Sequence, residues 1–265
     1  MSILFFDIDH TLLSHKTFTI PDSAMAALHQ AKQNGHLLYL ASGRGINGVA
    51  PYYDRSLFDG AISGSGACVT IGNERVIHHC FDAEDEEKLI VLGMKYHAGL
   101  SLQAYDRSWM SRRNIERIAG IRNVEQYVKR IDVFPIEDYQ GEPLSKIDYF
   151  FFGDTEGEAL LKEMPGSVDV CAVLSEATDY AGAEVTPKGV NKGAAMLELL
   201  DYLHIDRKDA YGFGDSENDI VLLETCGTGI AMGNAAPAVK EIADYVTSDI
   251  EEDGIYNAMK HFRLI

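Results

Sequence analysis

The chain has 265 residues, enough for one large domain or for a core with an insertion, and enough to bury a sizeable core without covalent staples. Its formal charge of −18, from 23 Lys and Arg against 41 Asp and Glu, excludes sequence-independent binding to nucleic acid or to an anionic membrane surface, which needs clustered cations. Four scattered cysteines make no C-x-x-C pair and no stretch approaches the roughly 20 apolar residues of a membrane span, so the expectation is a cytoplasmic protein with reduced thiols.

Ile3-Leu4-Phe5-Phe6 reads as a buried strand that stops at Asp7, with Asp9 and Thr11 following in a D-x-D-x-T pattern. Asp7 also cuts the apolar run short of a signal-peptide core. Carboxylates at the end of a strand stand where open α/β sheets bind their ligands, although such a pair taken alone is as readily a turn. Pro21-Asp22-Ser23 starts a helix, Met25 and Leu28 continue it at helical spacing, and Gly35 stops it. Residues 37–40 form a second strand ending at Ala41-Ser42-Gly43-Arg44, which completes a right-handed β-α-β unit. Ala61-Ile62 makes a short third strand before Gly64-Ser65-Gly66, and residues 67–70 and 76–79 form a hairpin around Gly72-Asn73.

From Phe81 the texture changes. A charged amphipathic helix over 82–97 is followed by strands at 100–104, 147–152, 168–174 and 183–185, with helices at 115–130 and 156–162. This order lacks strict β-α alternation and points to a separate α+β unit. Alternation returns after Pro187, with a helix over 190–203, a strand over 210–213, a helix around 220–223, and short strands at 228–232 and 244–247 separated by a helix containing Val239. The expected fold is α/β: a Rossmann-like parallel-sheet core from residues 1–81 and 184–265, interrupted by an α+β domain over 82–183.

Three further segments place polar groups at strand ends or helix starts. Ser42-Gly43-Arg44 offers a hydroxyl and an open backbone N–H to an anion. Lys188 and Lys192 flank a helix start, where the helix dipole disfavours a cation unless an anion accompanies it. Gly214-Asp215-Ser216-Glu217-Asn218-Asp219 ends a strand in an acidic cluster, and carboxylates converging on one edge repel one another unless a divalent cation lies among them. Hard oxygen donors point to Mg2+.

Four motifs in this order, Asp7-x-Asp9-x-Thr11, Ser42-Gly43-Arg44, Lys192-Gly193 and Gly214-Asp215-Ser216-Glu217-Asn218-Asp219, resemble the haloacid dehalogenase (HAD) superfamily of phosphatases, in its Cof-type branch with a C2B-type cap. Ala231 to Ala235 and Glu252-Asp253-Gly254 resemble the branch's C-terminal pattern. The resemblance implies a HAD-type phosphoric monoester hydrolase acting on small phosphorylated metabolites such as sugar phosphates. It implies Asp7 as nucleophile, Asp9 as general acid and base, and Lys192 as the cation beside them. Ser42, Gly43, Lys192 and Asn218 are expected to bind the phosphoryl group, while Asp7, the backbone carbonyl of Asp9, and Asp215 hold Mg2+. Asp219 orients metal-bound water, the inserted domain is a cap, and a monomer is favoured because a large cap needs no partner subunit. His10 stands where the branch usually has Gly, and Ser65-Gly66 where Asn-Gly is usual; both bear on substrate preference. The competing readings are a phosphomutase or phosphotransferase of the same superfamily and, outside enzymes, a receiver-like phospho-aspartate switch; Asp9 favours rapid hydrolysis over the switch.

Overall fold

A computed structural model of the protein describes residues 1–119, 133–153, 155–173 and 181–265. The strands in chain order are β1 (Ile3–Phe6), β2 (Leu37–Ala41), β3 (Gly60–Ser63), β4 (Cys68–Ile71), β5 (Glu74–His78), β6 (Gly99–Gln103), β7 (Ser108–Met110), β8 (Val133–Pro135), β9 (Lys146–Phe151), β10 (Val168–Val173), β11 (Ala181–Pro187), β12 (Ala210–Gly214), β13 (Thr228–Ala231) and β14 (Tyr245–Val246). Two compact units divide them. One contains Met1–Gly43, Tyr52–Ile77 and Asn191–Ile265, and the other contains Arg44–Pro51 and His78–Val190.

The first unit is built on a sheet of order β14-β13-β12-β1-β2-β3-β4-β5. From β14 to β3 the pairing is parallel, and β4 turns back antiparallel to β3. Strand β1 is fully buried, which is why it reads as an unbroken apolar run rather than an alternating one: a parallel sheet is covered on both faces. On one face Ile3, Phe5, Tyr39 and Ile62 pack with Ala195, Met196 and Leu199 of the helix over Lys192–Leu203, while helix α1 (Asp22–Gln33) buries Ala24, Ala27, Leu28 and Ala31. Helix α2 (Ala83–Lys95) belongs to the second unit, α3 covers Lys192–Leu203, and α4 covers Ile220–Thr225.

The second unit carries a largely antiparallel sheet of order β10-β11-β9-β6-β7-β8. Leu100, Leu102, Trp109, Ile147, Tyr149 and Val185 point to one face and pack with Leu89 and Leu92 of α2. The alternating residues Gln103, Lys146, Asp148 and Glu184 form a polar cluster on the opposite side of the pleat. Asp82 caps α2 by accepting from the Asp85 backbone N–H, and Glu84, Asp85 and Glu86 complement the helix dipole.

The chain forms the expected α/β fold with an inserted α+β unit, but the units divide differently from the expected 82–183: the second unit runs from His78 to Val190, because β11 pairs with β9 and β10, and it also takes in Arg44–Pro51. Strands β7 and β8 are not among the expected strands: three residues are too few for a period, and unlike the two-residue β14 they do not follow a β-α alternation that would place them. The expected helix over 115–130 begins earlier, at Arg112, and lies outside the described residues from position 120; Leu174, the expected end of β10, also lies outside them. Among the described residues no helix is long and apolar enough to cross a membrane, and none of the four cysteines is in a disulfide.

Candidate active site

Asp7 follows directly on β1, and its backbone N–H donates to the carbonyl of Phe213 at 3.0 Å, carrying the β1–β12 pairing one residue past the strand. Because β12 is the parallel neighbour of β1 and ends at Gly214, Asp215 comes out beside Asp7 at the same C-terminal sheet edge. The third contributor is the start of α3, where the Asn191 side chain accepts from the Ala194 backbone N–H and Lys192 is the first helical residue. Gly66 lets the chain pass Asn191 closely, since a Cβ there would lie 2.2 Å from the Asn191 carbonyl oxygen and its φ is 106°.

Lys192 is 1% exposed. Its Nζ donates to Asp7 Oδ1 at 2.7 Å, to Asp219 Oδ1 at 2.6 Å and to Asn218 Oδ1 at 3.2 Å. Burial pulls the lysine pKa down, but the carboxylates of Asp219 and Asp7 outweigh it and hold the ammonium well above the ordinary range. Asp219 is fixed at its other oxygen, where Oδ2 accepts from the backbone N–H groups of Asp215 and Ser216 at 3.0 and 3.1 Å. Gly214 makes room for this fold-back, because a Cβ there would stand 2.5 Å from Asp219 Cβ. Thr11 closes the cluster by donating its hydroxyl to Asp215 Oδ1 at 2.7 Å.

Carboxylate oxygens of Asp7, Asp215 and Asp219 all lie within 4.8 Å of one another, so three buried carboxylates face one ammonium. The imbalance appears in the acidity of Asp7 and Asp215. Burial, together with repulsion from Asp219 and Asp215 that Lys192 only partly offsets, raises Asp7 well above the usual carboxylate range. Burial and repulsion from Asp219 push Asp215 up to about 7, against the Thr11 hydrogen bond. A hard divalent cation would relieve this excess of negative oxygen, and the donor set fits one.

The family model of haloacid dehalogenase-like hydrolases matches residues 4–259. The chain belongs to this family. As the motifs implied, it is a HAD-type phosphoric monoester hydrolase of the Cof pattern. YkrA of Bacillus subtilis is 30% identical to this hydrolase, over 99% of this chain and 98% of its own. An HMP-PP phosphatase of Yersinia pseudotuberculosis is 28% identical, over 97% and 93%. The solved structure of the HAD subclass IIB sugar phosphatase BT4131 superposes with a TM-score of 0.87 at 30% identity, covering all of both chains.

In this HAD hydrolase Asp7, Lys192, Asn218 and Asp219 are joined by direct hydrogen bonds, and Asp215 lies within the same cluster. Ser42 is buried at the end of β2, next to β1; its backbone N–H donates to Ile62 and its carbonyl accepts from Ser65, and Gly43 follows it. Asp9 is outside the carboxylate cluster: its Oδ1 lies 2.8 Å from His15 Nε2, and its expected share in a metal site is through the backbone carbonyl. Lys188 is paired with Asp169 at 2.5 Å, leaving Lys192 as the lysine of the cluster. Sequence reasoning gave Thr11 no role and missed His15. Thr11 had a signal, as the third member of D-x-D-x-T; His15 had none, because a histidine in a polar loop is unremarkable.

Proposed function

We propose that the protein is a Mg2+-dependent phosphatase of small phosphorylated metabolites, sugar phosphates or similar, working through an aspartyl-phosphate on Asp7. One observation carries the reading: the carboxylate that ends the central strand is held 2.7 Å from a buried lysine inside a cluster of three carboxylates. The activities of two relatives, a sugar phosphatase and an HMP-PP phosphatase, support the substrate class.

An Asp7 carboxylate oxygen attacks phosphorus as the bond to the leaving oxygen breaks, and Asp9 delivers a proton to that oxygen. Asp9, now ionised, takes a proton from water; the water oxygen attacks phosphorus, the bond to Asp7 breaks, and inorganic phosphate leaves. Lys192 neutralises charge shared between Asp7 and the phosphoryl group and favours the ionised form of Asp7. Ser42, the Gly43 N–H and Asn218 hold phosphoryl oxygens, and Asp219 fixes Lys192 and the Asp215 backbone. Mg2+, held by Asp7, Asp215 and the Asp9 carbonyl, would supply further charge neutralisation at the phosphoryl oxygens. Residues 82–183 as a cap, a monomeric state and a cytoplasmic location belong to the same proposal.

The test is release of inorganic phosphate from a panel of sugar phosphates, nucleotides and pyridoxal phosphate with Mg2+ present. Stoichiometric release supports hydrolysis. Interconversion of sugar phosphate isomers without release would replace the reading by a phosphomutase.

A further inference from the structure

After β1 the chain folds back sharply. Backbone N–H groups of Leu12 and Leu13 both donate to the Ile8 carbonyl, at 3.0 and 2.7 Å, and His10 adopts a φ of 58°. Glycine takes that conformation freely and a residue with a side chain does so under strain, so position 10 holds histidine against a local preference. The His10 ring has a partner there, the His15 ring at 3.8 Å between centroids, and its carbonyl accepts from Asn234 Nδ2 at 2.8 Å. Phe18 also stacks on His15, at 5.9 Å.

The loop presenting His15 is tied at both ends. Ser14 N–H donates to the Thr19 carbonyl at 3.1 Å, Phe18 N–H donates to the Ser14 carbonyl at 2.8 Å, and the Ser14 hydroxyl donates to Glu251. The same hydroxyl oxygen accepts from the backbone N–H groups of Lys16 and Thr17. From this loop His15 Nε2 reaches Asp9 Oδ1 at 2.8 Å.

We propose that His15 is a positioning residue for proton transfer by Asp9, with the His10 ring holding it in place. This rests on the reading of Asp9 as general acid and base. Asp9 has to present the same oxygen first to the leaving group and then to water. An Nε2–H donated to Oδ1 fixes the rotation of the carboxyl group and directs the mobile proton to Oδ2. Because the Asp9 side chain is 33% exposed, packing alone does not set that rotation. His15 acts through Asp9, and His10 acts through His15.

Loss of Asp9 positioning falls on substrates whose leaving oxygen needs a proton. The measurement is kcat/KM, which reports the steps up to leaving-group departure, for a primary alkyl phosphate monoester and for p-nitrophenyl phosphate, whose phenolate leaves unprotonated. We expect His15→Ala to lower the alkyl value about tenfold to a hundredfold more than the nitrophenyl value, within the range of general acid catalysis. His15→Gln, which keeps a side-chain donor, should recover most of that ratio. His10→Gly should shift it in the same direction by a smaller factor, with no loss of melting temperature because the left-handed strain is relieved. Equal losses on both substrates in folded His15→Ala and His10→Gly proteins, or no loss, would overturn the proposal. Asp7→Asn separates the two levels: residual turnover there sinks the phosphatase mechanism, whereas an inactive Asp7→Asn beside a wild-type ratio in His15→Ala sinks only the positioning role.

Discussion

Each unit of the molecule buries a lysine between two carboxylates, and the two clusters differ in what they can do. In the first unit Lys192 lies 2.7 and 2.6 Å from Asp7 and Asp219; in the second Lys146 lies 2.9 and 3.0 Å from Asp148 and Glu184. Both ammonium groups are held up by their carboxylates against the pull of burial. The Lys146 cluster is a product of sheet geometry: Lys146 and Asp148 are alternate residues of β9, and Glu184 of β11 stands opposite Asp148 in the register. The Lys192 cluster draws on a strand end, a helix start and a second strand end, and it holds a third carboxylate, Asp215. Burial of charge is common to both, so it does not mark a site. What sets the Lys192 cluster apart is the convergence of two strand ends and a helix start, with a third carboxylate added.

The largest expected effect sharpens that contrast. Asp7→Asn should lower turnover by about 10³-fold or more, since it removes the proposed nucleophile, without lowering the melting temperature at pH 7. Asp7 is raised above its unfolded value, so its ionised form disfavours the metal-free fold and the neutral amide removes that cost. Retained phosphatase activity in a pure preparation would break the assignment.

Chelation comes next. Exhaustive removal of divalent metal should abolish activity, and Mg2+ at about a hundred times its Kd should stabilise the fold by about 2.7 kcal/mol. With Asp215 pushed up to about 7, the folded state binds a proton that the unfolded state has released, so metal-free stability falls as pH rises from about 4 to about 7. The rise in melting temperature on adding Mg2+ should therefore be larger at pH 8 than at pH 6, where the cation competes with that proton. An equal rise at both values would contradict the linkage.

Lys146→Met probes the other cluster. It leaves Asp148 and Glu184 without their ammonium and should cost about 3–5 kcal/mol in urea unfolding at pH 8. Burial already lifts Asp148 to about 6, so at pH 5 it accepts a proton and the loss should shrink. The smallest effects are at helix caps: Asp82→Ala and Asn191→Ala should each cost about 1 kcal/mol of stability, and Asn191→Ala should also lower kcat because Lys192 is the next residue.

Much of the first unit was legible because each motif sits where a period breaks. The apolar run 3–6 ends at Asp7, and the runs 37–40 and 210–213 end just before Ser42 and Asp215, so polar residues at three strand ends point to one sheet edge. Helical spacing over 190–203 placed a lysine at a helix start, although spacing alone left Lys188 open, and the Asp169 pair resolves it. The rest depends on register and on loop closure. Glu184 meets Asp148 only because β9 and β11 pair as they do, and His15 meets Asp9 only because Ser14 and Thr19 close a loop between them. Neither leaves a mark in a linear pattern.

The central place of β1 carries a consequence for the order of folding. It is the first strand of the chain, yet its two neighbours are β2 and β12, and the bond from Lys192 to Asp7 spans 185 positions while that from Thr11 to Asp215 spans 204. During synthesis one edge of β1 therefore waits for a partner until residues beyond 210 have emerged, exposing backbone donors and acceptors in the meantime. The crowded carboxylates are brought together only by that pairing, so the repulsion they carry opposes it and spares the steps before it.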